Sequence, residues 1–123
     1  MRNRSLEPDP RSARIAREFV REACRDWDVD DEMCEDAMLV ATELVANVVD
    51  HAGTSCVVSI DGGDSWLRIE VEDGYPCSIP TSPRIDLSAA RGRGLLVVAG
   101  LSSEWGVREL PHGKSVWALL DGG

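Results

Sequence analysis

The sequence predicts an α+β fold: a two-layer sandwich with helices packed on one face of a mixed, mainly antiparallel sheet. Three observations predict it. Two stretches, 12–27 and 31–50, carry apolar residues three or four apart and read as amphipathic helices. Runs of β-branched residues on either side of Asp61-Gly62-Gly63-Asp64 read as a hairpin. A loop, a helix and two more strands complete the order, so helices and strands segregate instead of alternating as they do around a parallel sheet.

Met1 to Pro10 is polar, holds two prolines, and reads as an arm or a short edge strand; residues 11–123 read as a single domain. Ser12 is the expected N-cap of the first helix, whose apolar face is Ile15, Phe19, Val20, Ala23 and Trp27. The opposite face carries Arg11, Arg14, Arg17, Arg21 and Arg25. It reads either as a solvated face with i,i+4 pairs such as Arg14 with Glu18, or as a docking surface for an acidic partner. Asp30 or Asp31 caps the second helix, which is expected to run to about Asp50, with Gly53 as its stop.

On that second helix Ala37, Met38, Ala41, Leu44, Val45, Val48, Val49 and Ala52 form one apolar stripe. Glu43, Asn47 and His51 are spaced by four and drift across its boundary, Glu43 on the polar side, Asn47 at the stripe's edge and His51 within it, which reads either as a solvated flank or as polar groups presented to the interior. Strands are expected from Ser55 to Ile60 and from Trp66 to Val71, the second ending in Glu72-Asp73-Gly74-Tyr75-Pro76. Cys77 to Ala90 is a loop, and Arg91-Gly92-Arg93-Gly94 opens a helix with Leu95, Leu96, Val97, Val98 and Leu101 as its apolar residues. Glu104 to Val107 reads as a strand, Leu110-Pro111-His112-Gly113 as a turn, and Ser115 to Leu120 as a last strand.

Composition excludes several classes. A net charge of −9 suits no nucleic-acid surface, which needs clustered Lys and Arg to neutralise phosphates. No apolar run approaches the roughly 20 residues of a membrane span. The basic start Met1-Arg2-Asn3-Arg4 is not followed by an apolar signal core, so a cytoplasmic location is expected. Cys24, Cys34, Cys56 and Cys77 show neither disulfide-framework nor zinc spacing and read as free thiols.

Gly113-Lys114-Ser115 looks like the tail of a P-loop, but Arg108 stands where the first glycine is required and a strand follows instead of a helix. Arg91-Gly92-Arg93-Gly94 is no dinucleotide fingerprint, since Val97 occupies the third glycine position. Glycines at a helix start nevertheless let backbone N–H groups approach a phosphate, and Arg91 and Arg93 add charge. Asp73 at a strand end could accept a hydrogen bond from an adenine amino group; guanine presents an acceptor at that edge and would be rejected.

The elements together resemble the Bergerat-fold ATPase/kinase superfamily (GHKL, histidine-kinase-like), and more closely the anti-sigma-factor serine/threonine protein kinase family. The residues that carry the resemblance are Ala41-Thr42-Glu43-Leu44-Val45-Ala46-Asn47 with His51-Ala52-Gly53, Gly92-Arg93-Gly94-Leu95-Leu96-Val97-Val98 with Trp105-Gly106-Val107, and Gly113-Lys114-Ser115-Val116-Trp117. It covers nearly the whole chain, from about Ser12 to Leu120.

The resemblance implies an ATP-binding regulatory protein that transfers the γ-phosphate of Mg-ATP to a serine of an anti-sigma-factor antagonist. Sigma-factor control by partner switching, and hence transcription regulation, would be the output. Glu43 matches the general base and Asn47 the Mg²⁺ ligand. The implied ATP contacts are Asn47, His51, Asp73, Gly74, Arg91, Gly92, Arg93, Gly94, Leu95 and Ser115. Asp73 would read the adenine, Gly92 and Gly94 would face the phosphates, Pro76 to Ala90 would form the lid, and Ser115 would place a hydroxyl near the base. A homodimer is implied, and direct nucleic-acid or membrane binding is not. Two features depart from the family pattern: Gly74 follows Asp73 directly where Asp-x-Gly is usual, and both arm and lid are short. A non-catalytic ATP-binding or protein-sequestering module is the alternative reading.

Overall fold

A computed structural model describes residues 1–63, 65–74, 96–111 and 113–121, with the side chains of His51 and Ala52 outside that description. The elements are β1 (Arg2–Leu6), α1 (Ser12–Asp26), α2 (Asp31–Asn47), a π-helical turn (Val48–Ala52), β2 (Cys56–Gly62), β3 (Trp66–Asp73), a helix whose described part is 96–101 (α3), β4 (Glu104–Leu110) and β5 (Gly113–Asp121). The five strands form one sheet in the order β1-β2-β3-β5-β4, and every described pairing is antiparallel. The fold is therefore α+β, with the helices on one face of the sheet.

Alternation along the strands decides which face is which. Val58 and Ile60 of β2, Leu67, Ile69 and Val71 of β3, and Ala118 and Leu120 of β5 are buried. They meet Val20 and Ala23 of α1, and Ala37, Val40, Ala41, Leu44 and Val45 of α2, in one cluster. Each fully buried Val, Leu or Ile of that cluster contributes roughly 1.5–3 kcal/mol. Val98, buried, and Leu101, packed beside it, join α3 to the same core, while Leu96 is 65% exposed.

The helix ends follow side-chain chemistry. Asp30 caps α2 by accepting from the Met33 N–H at 2.8 Å. Gly53, at φ 67, closes the π turn in the left-handed region that glycine adopts without cost. Ser12, by contrast, is not the cap of α1. Arg11 occupies that position without a side-chain cap bond, and Ser12 is buried inside the helix with its hydroxyl donating to the Glu7 carbonyl at 2.6 Å. Asp9 takes the capping work by accepting from the Arg11 N–H at 2.8 Å.

Residues 2–6 form a regular edge strand along β2. Arg2 crosses to the helix layer, where its guanidinium pairs with Asp26 at 2.8 Å and lies over the Trp27 ring. No helix among the described residues is long and apolar enough to cross a membrane.

Candidate functional site

The end of the sheet formed by the start of β2, the end of β3 and the start of β5 gathers a buried acid. Asp73 falls in step with Leu67, Ile69 and Val71, so its carboxylate points to the helix side, and it is 3% exposed. Burying a carboxylate is costly without donors. One is the Lys114 N–H, which reaches Asp73 Oδ1 at 3.1 Å. Gly113, without a side chain, lets β5 begin close enough for that bond.

Cys56 is the cross-strand partner of Asp73 on β2 and is also buried. Burial, and then the Asp73 charge, push its thiol up to about 11. The thiol therefore stays protonated beside the carboxylate at neutral pH. The Gly74 N–H donates to the Ser55 carbonyl at 3.2 Å and ties the end of β3 to the start of β2. A cleft of about 220 Å³ opens there, lined among others by Leu6, Glu7, Cys56, Asp73 and Gly74.

The C-terminal end of α2 leads through the π turn into the start of β2, at the same end of the sheet. Glu43 and Asn47 are half-buried and one helical turn apart. Five residues of π turn, the capping Gly53, Thr54 and Ser55 carry the chain from Asn47 to Cys56, the residue paired with Asp73. The α-helix stops at Asn47 instead of near Asp50, because the Gly53 N–H bonds the Val48 carbonyl five residues back, at 2.8 Å. Such π turns occur frequently at functional sites. The side chain of His51 lies outside the described residues.

Ser115 is not brought to Asp73. It is one residue past Lys114, and alternation turns it to the opposite face of the sheet. There its hydroxyl donates to Glu70, which also accepts from Arg68 at 2.8 Å and Arg108 at 3.0 Å. The Arg68 guanidinium lies 5.3 Å over the Trp117 ring on that face. Burial acts to raise the Glu70 carboxyl, but the Ser115 hydroxyl and the two arginines hold it below the ordinary 4.5.

The residue that does stand beside Asp73 is Lys114, which sequence reasoning left unassigned. The signal was present: Val116, Ala118 and Leu120 are the apolar alternates of β5, and counting back by twos reaches Lys114, not Ser115. Arg91, Gly92, Arg93, Gly94 and Leu95, and the expected lid from Pro76 to Ala90, lie outside the described residues.

On α1, Arg14, Arg17 and Arg25 are exposed, and their side chains make no ion pair or hydrogen bond among the described residues. Glu18 bonds Arg21 at 3.4 Å and not the expected Arg14, while Arg11 turns back to Asp9.

A sequence profile described as a histidine kinase-like ATPase domain matches residues 6–120. The structure of the RsbU and RsbW domains of Rv1364c from Mycobacterium tuberculosis superposes with a TM-score of 0.68 at 19% identity, over 98% of this chain and 32% of that one. The chain thus spans about a third of that relative's length. A SiaB-SiaC complex from Pseudomonas aeruginosa matches with a TM-score of 0.68 at 16% identity, over 98% of this chain and 89% of that one. At these identities the likeness is one of fold. No curated protein matches the chain significantly.

Proposed function

The chain belongs to the histidine kinase-like ATPase domain family, and we propose that it binds Mg-ATP and passes the γ-phosphate to a serine of a small partner, an anti-sigma-factor antagonist. The single observation that carries the reading is the buried Asp73 carboxylate, at the sheet end into which the chain runs from the end of α2. A carboxylate is an acceptor only, so it favours a base that presents an amino group, as adenine does.

In this reading Asp73 orients the purine, and Gly74 with His51 adjoins it. The glycines at 92 and 94, Arg91, Arg93 and Leu95 form the phosphate end. Glu43 accepts the proton of the attacking hydroxyl, one helical turn from Asn47. Among the described residues no cluster of three His, Cys, Asp or Glu side chains could hold a metal. A single neutral oxygen from Asn47 suits Mg²⁺, which keeps its waters and is held largely by phosphates. When bound with the nucleotide, Mg²⁺ supplies neutralisation of phosphate charge. Ser115, turned to Glu70, is left out of the nucleotide contacts.

One of the matched structures is a two-protein complex, which supports a partner-switching role; a cytoplasmic setting and a sigma factor as the second partner belong to the proposal alone. The exposed Arg14, Arg17 and Arg25 would meet an acidic partner, since electrostatic complementarity steers docking. Those arginines also favour a second reading, in which the chain sequesters its partner and transfers nothing.

The test is phosphotransfer from γ-labelled ATP to an antagonist captured from the native host. Transfer that is lost in Glu43→Ala, with ATP binding kept, supports the kinase. Transfer at the parental rate in Glu43→Ala removes the base assignment, and no transfer with tight partner binding favours sequestration.

A further inference from the structure

Lys114 is the only lysine in the chain. In the sheet it stands between two acids: Asp73 is opposite on β3 and Glu109 opposite on β4. Register puts all three side chains on the helix-facing side, in step with Val71, Val116 and Val107. Cross-strand β-carbons are about 5 Å apart, so either carboxylate is within reach of a four-carbon stem. Yet the Lys114 ammonium makes no ion pair among the described residues, and it is the Lys114 backbone N–H that serves Asp73 Oδ1, at 3.1 Å. The half-buried Lys114 side chain thus rises from the strand position opposite Asp73, with its ammonium outside ion-pair distance of the carboxylate.

We propose that Lys114 is a specificity-determining residue of the nucleotide site: its ammonium donates to N1 of the purine whose 6-amino group is held by Asp73. The inference rests on the nucleotide reading above. Adenine presents a donor at N6 and an acceptor at N1, side by side. An acceptor–donor pair made of Asp73 and Lys114 complements both. In the same pose guanine presents its O6 acceptor to the carboxylate and its N1–H donor to the ammonium, so both contacts turn repulsive. The pair would thereby reject guanine twice, where Asp73 alone rejects it once.

The test uses calorimetric titration of the full chain, Lys114→Met and Lys114→Arg with Mg-ATP, Mg-GTP and 1-deaza-ATP, which carries C–H in place of N1. The parent is expected to prefer ATP over 1-deaza-ATP by about tenfold, the size of one charged hydrogen bond. Lys114→Met is expected to bind the two alike and to gain relative affinity for GTP, while Lys114→Arg keeps most of the preference. Asp73→Asn is expected to weaken both ligands and leave their ratio unchanged. A parental ATP to 1-deaza-ATP ratio in Lys114→Met overturns the inference alone. A folded parent that binds neither nucleotide overturns the nucleotide reading and this inference with it.

Discussion

Gly113 stands over Asp73 with no room for a side chain: a β-carbon built there would lie 2.8 Å from Asp73 Oδ1 and closer still to the Asp73 carbonyl oxygen. The obstacle is backbone and a buried carboxylate, neither of which swings aside cheaply. Gly113→Ala is expected to push β5 off the end of β3 and cost about 1–3 kcal/mol. Its melting temperature should fall by several degrees, and ATP binding should fall with the lost Lys114 N–H bond. Gly100→Ala is the control, because a β-carbon there meets nothing within 4 Å and alanine favours a helix. Thermal unfolding of both variants checks the pair; an unchanged Gly113→Ala would contradict the packing described.

Glu70 gives a pH dependence on the other face of the sheet. Burial tends to raise its carboxyl, yet the Ser115 hydroxyl, Arg68 and Arg108 bring it below the ordinary 4.5. A depressed folded value means that the unfolded chain holds the proton more tightly. The stabilisation is therefore complete above the ordinary value and fades as pH falls through the folded one. Melting temperatures of the parent and Glu70→Gln, compared from about pH 7 down to about pH 3, should show a gap that narrows below the ordinary value. A gap constant over that range would mean that the ionised network does not stabilise β3, β4 and β5.

The buried thiols should be slow to react. Cys56 is pushed up to about 11 by burial and the Asp73 charge, and Cys24 up to about 12 by burial and its contact with Cys34. At about pH 8 roughly one Cys56 in a thousand is thiolate, and thiolate is the nucleophile. Brief iodoacetamide treatment of the folded chain should modify Cys34, which is half-buried, ahead of Cys24 and Cys56, as read by peptide mass spectrometry. Early alkylation of Cys56 would show that the end of the sheet opens readily.

Much of the fold was legible in the sequence because the deciding signals are local. The stripe from Ala37 to Val49 is a helical period, Asp30 and Gly53 are capping chemistry, and the Gly62-Gly63 hairpin sits between two alternating runs. The misreadings came where a tertiary bond outweighed local preference. Ser12 is a good cap by type, but its hydroxyl is drawn to the Glu7 carbonyl and Asp9 replaces it. The π turn leaves no 3.6-residue period to read, since its bonds run i,i+5, as from the Gly53 N–H to the Val48 carbonyl.

In the site, the Asp73 position was legible from its strand-end motif. The side of the sheet on which Ser115 falls was carried by the alternation of Val116, Ala118 and Leu120, but the Gly-Lys-Ser motif outweighed it, and a shift of one residue exchanges the faces. That same register brings forward Lys114, a residue named within the Gly113-Lys114-Ser115 motif but given no role there.

The central claim is that Asp73 holds the base of an ATP molecule bound against α2. Titration of the folded chain with Mg-ATP, beside Asp73→Asn, tests it most directly. The account predicts saturable binding by the parent and a loss of about tenfold or more in the variant, since the amide presents a weaker acceptor and a competing donor. Equal affinity in the two proteins, or no binding by a folded parent, would contradict it.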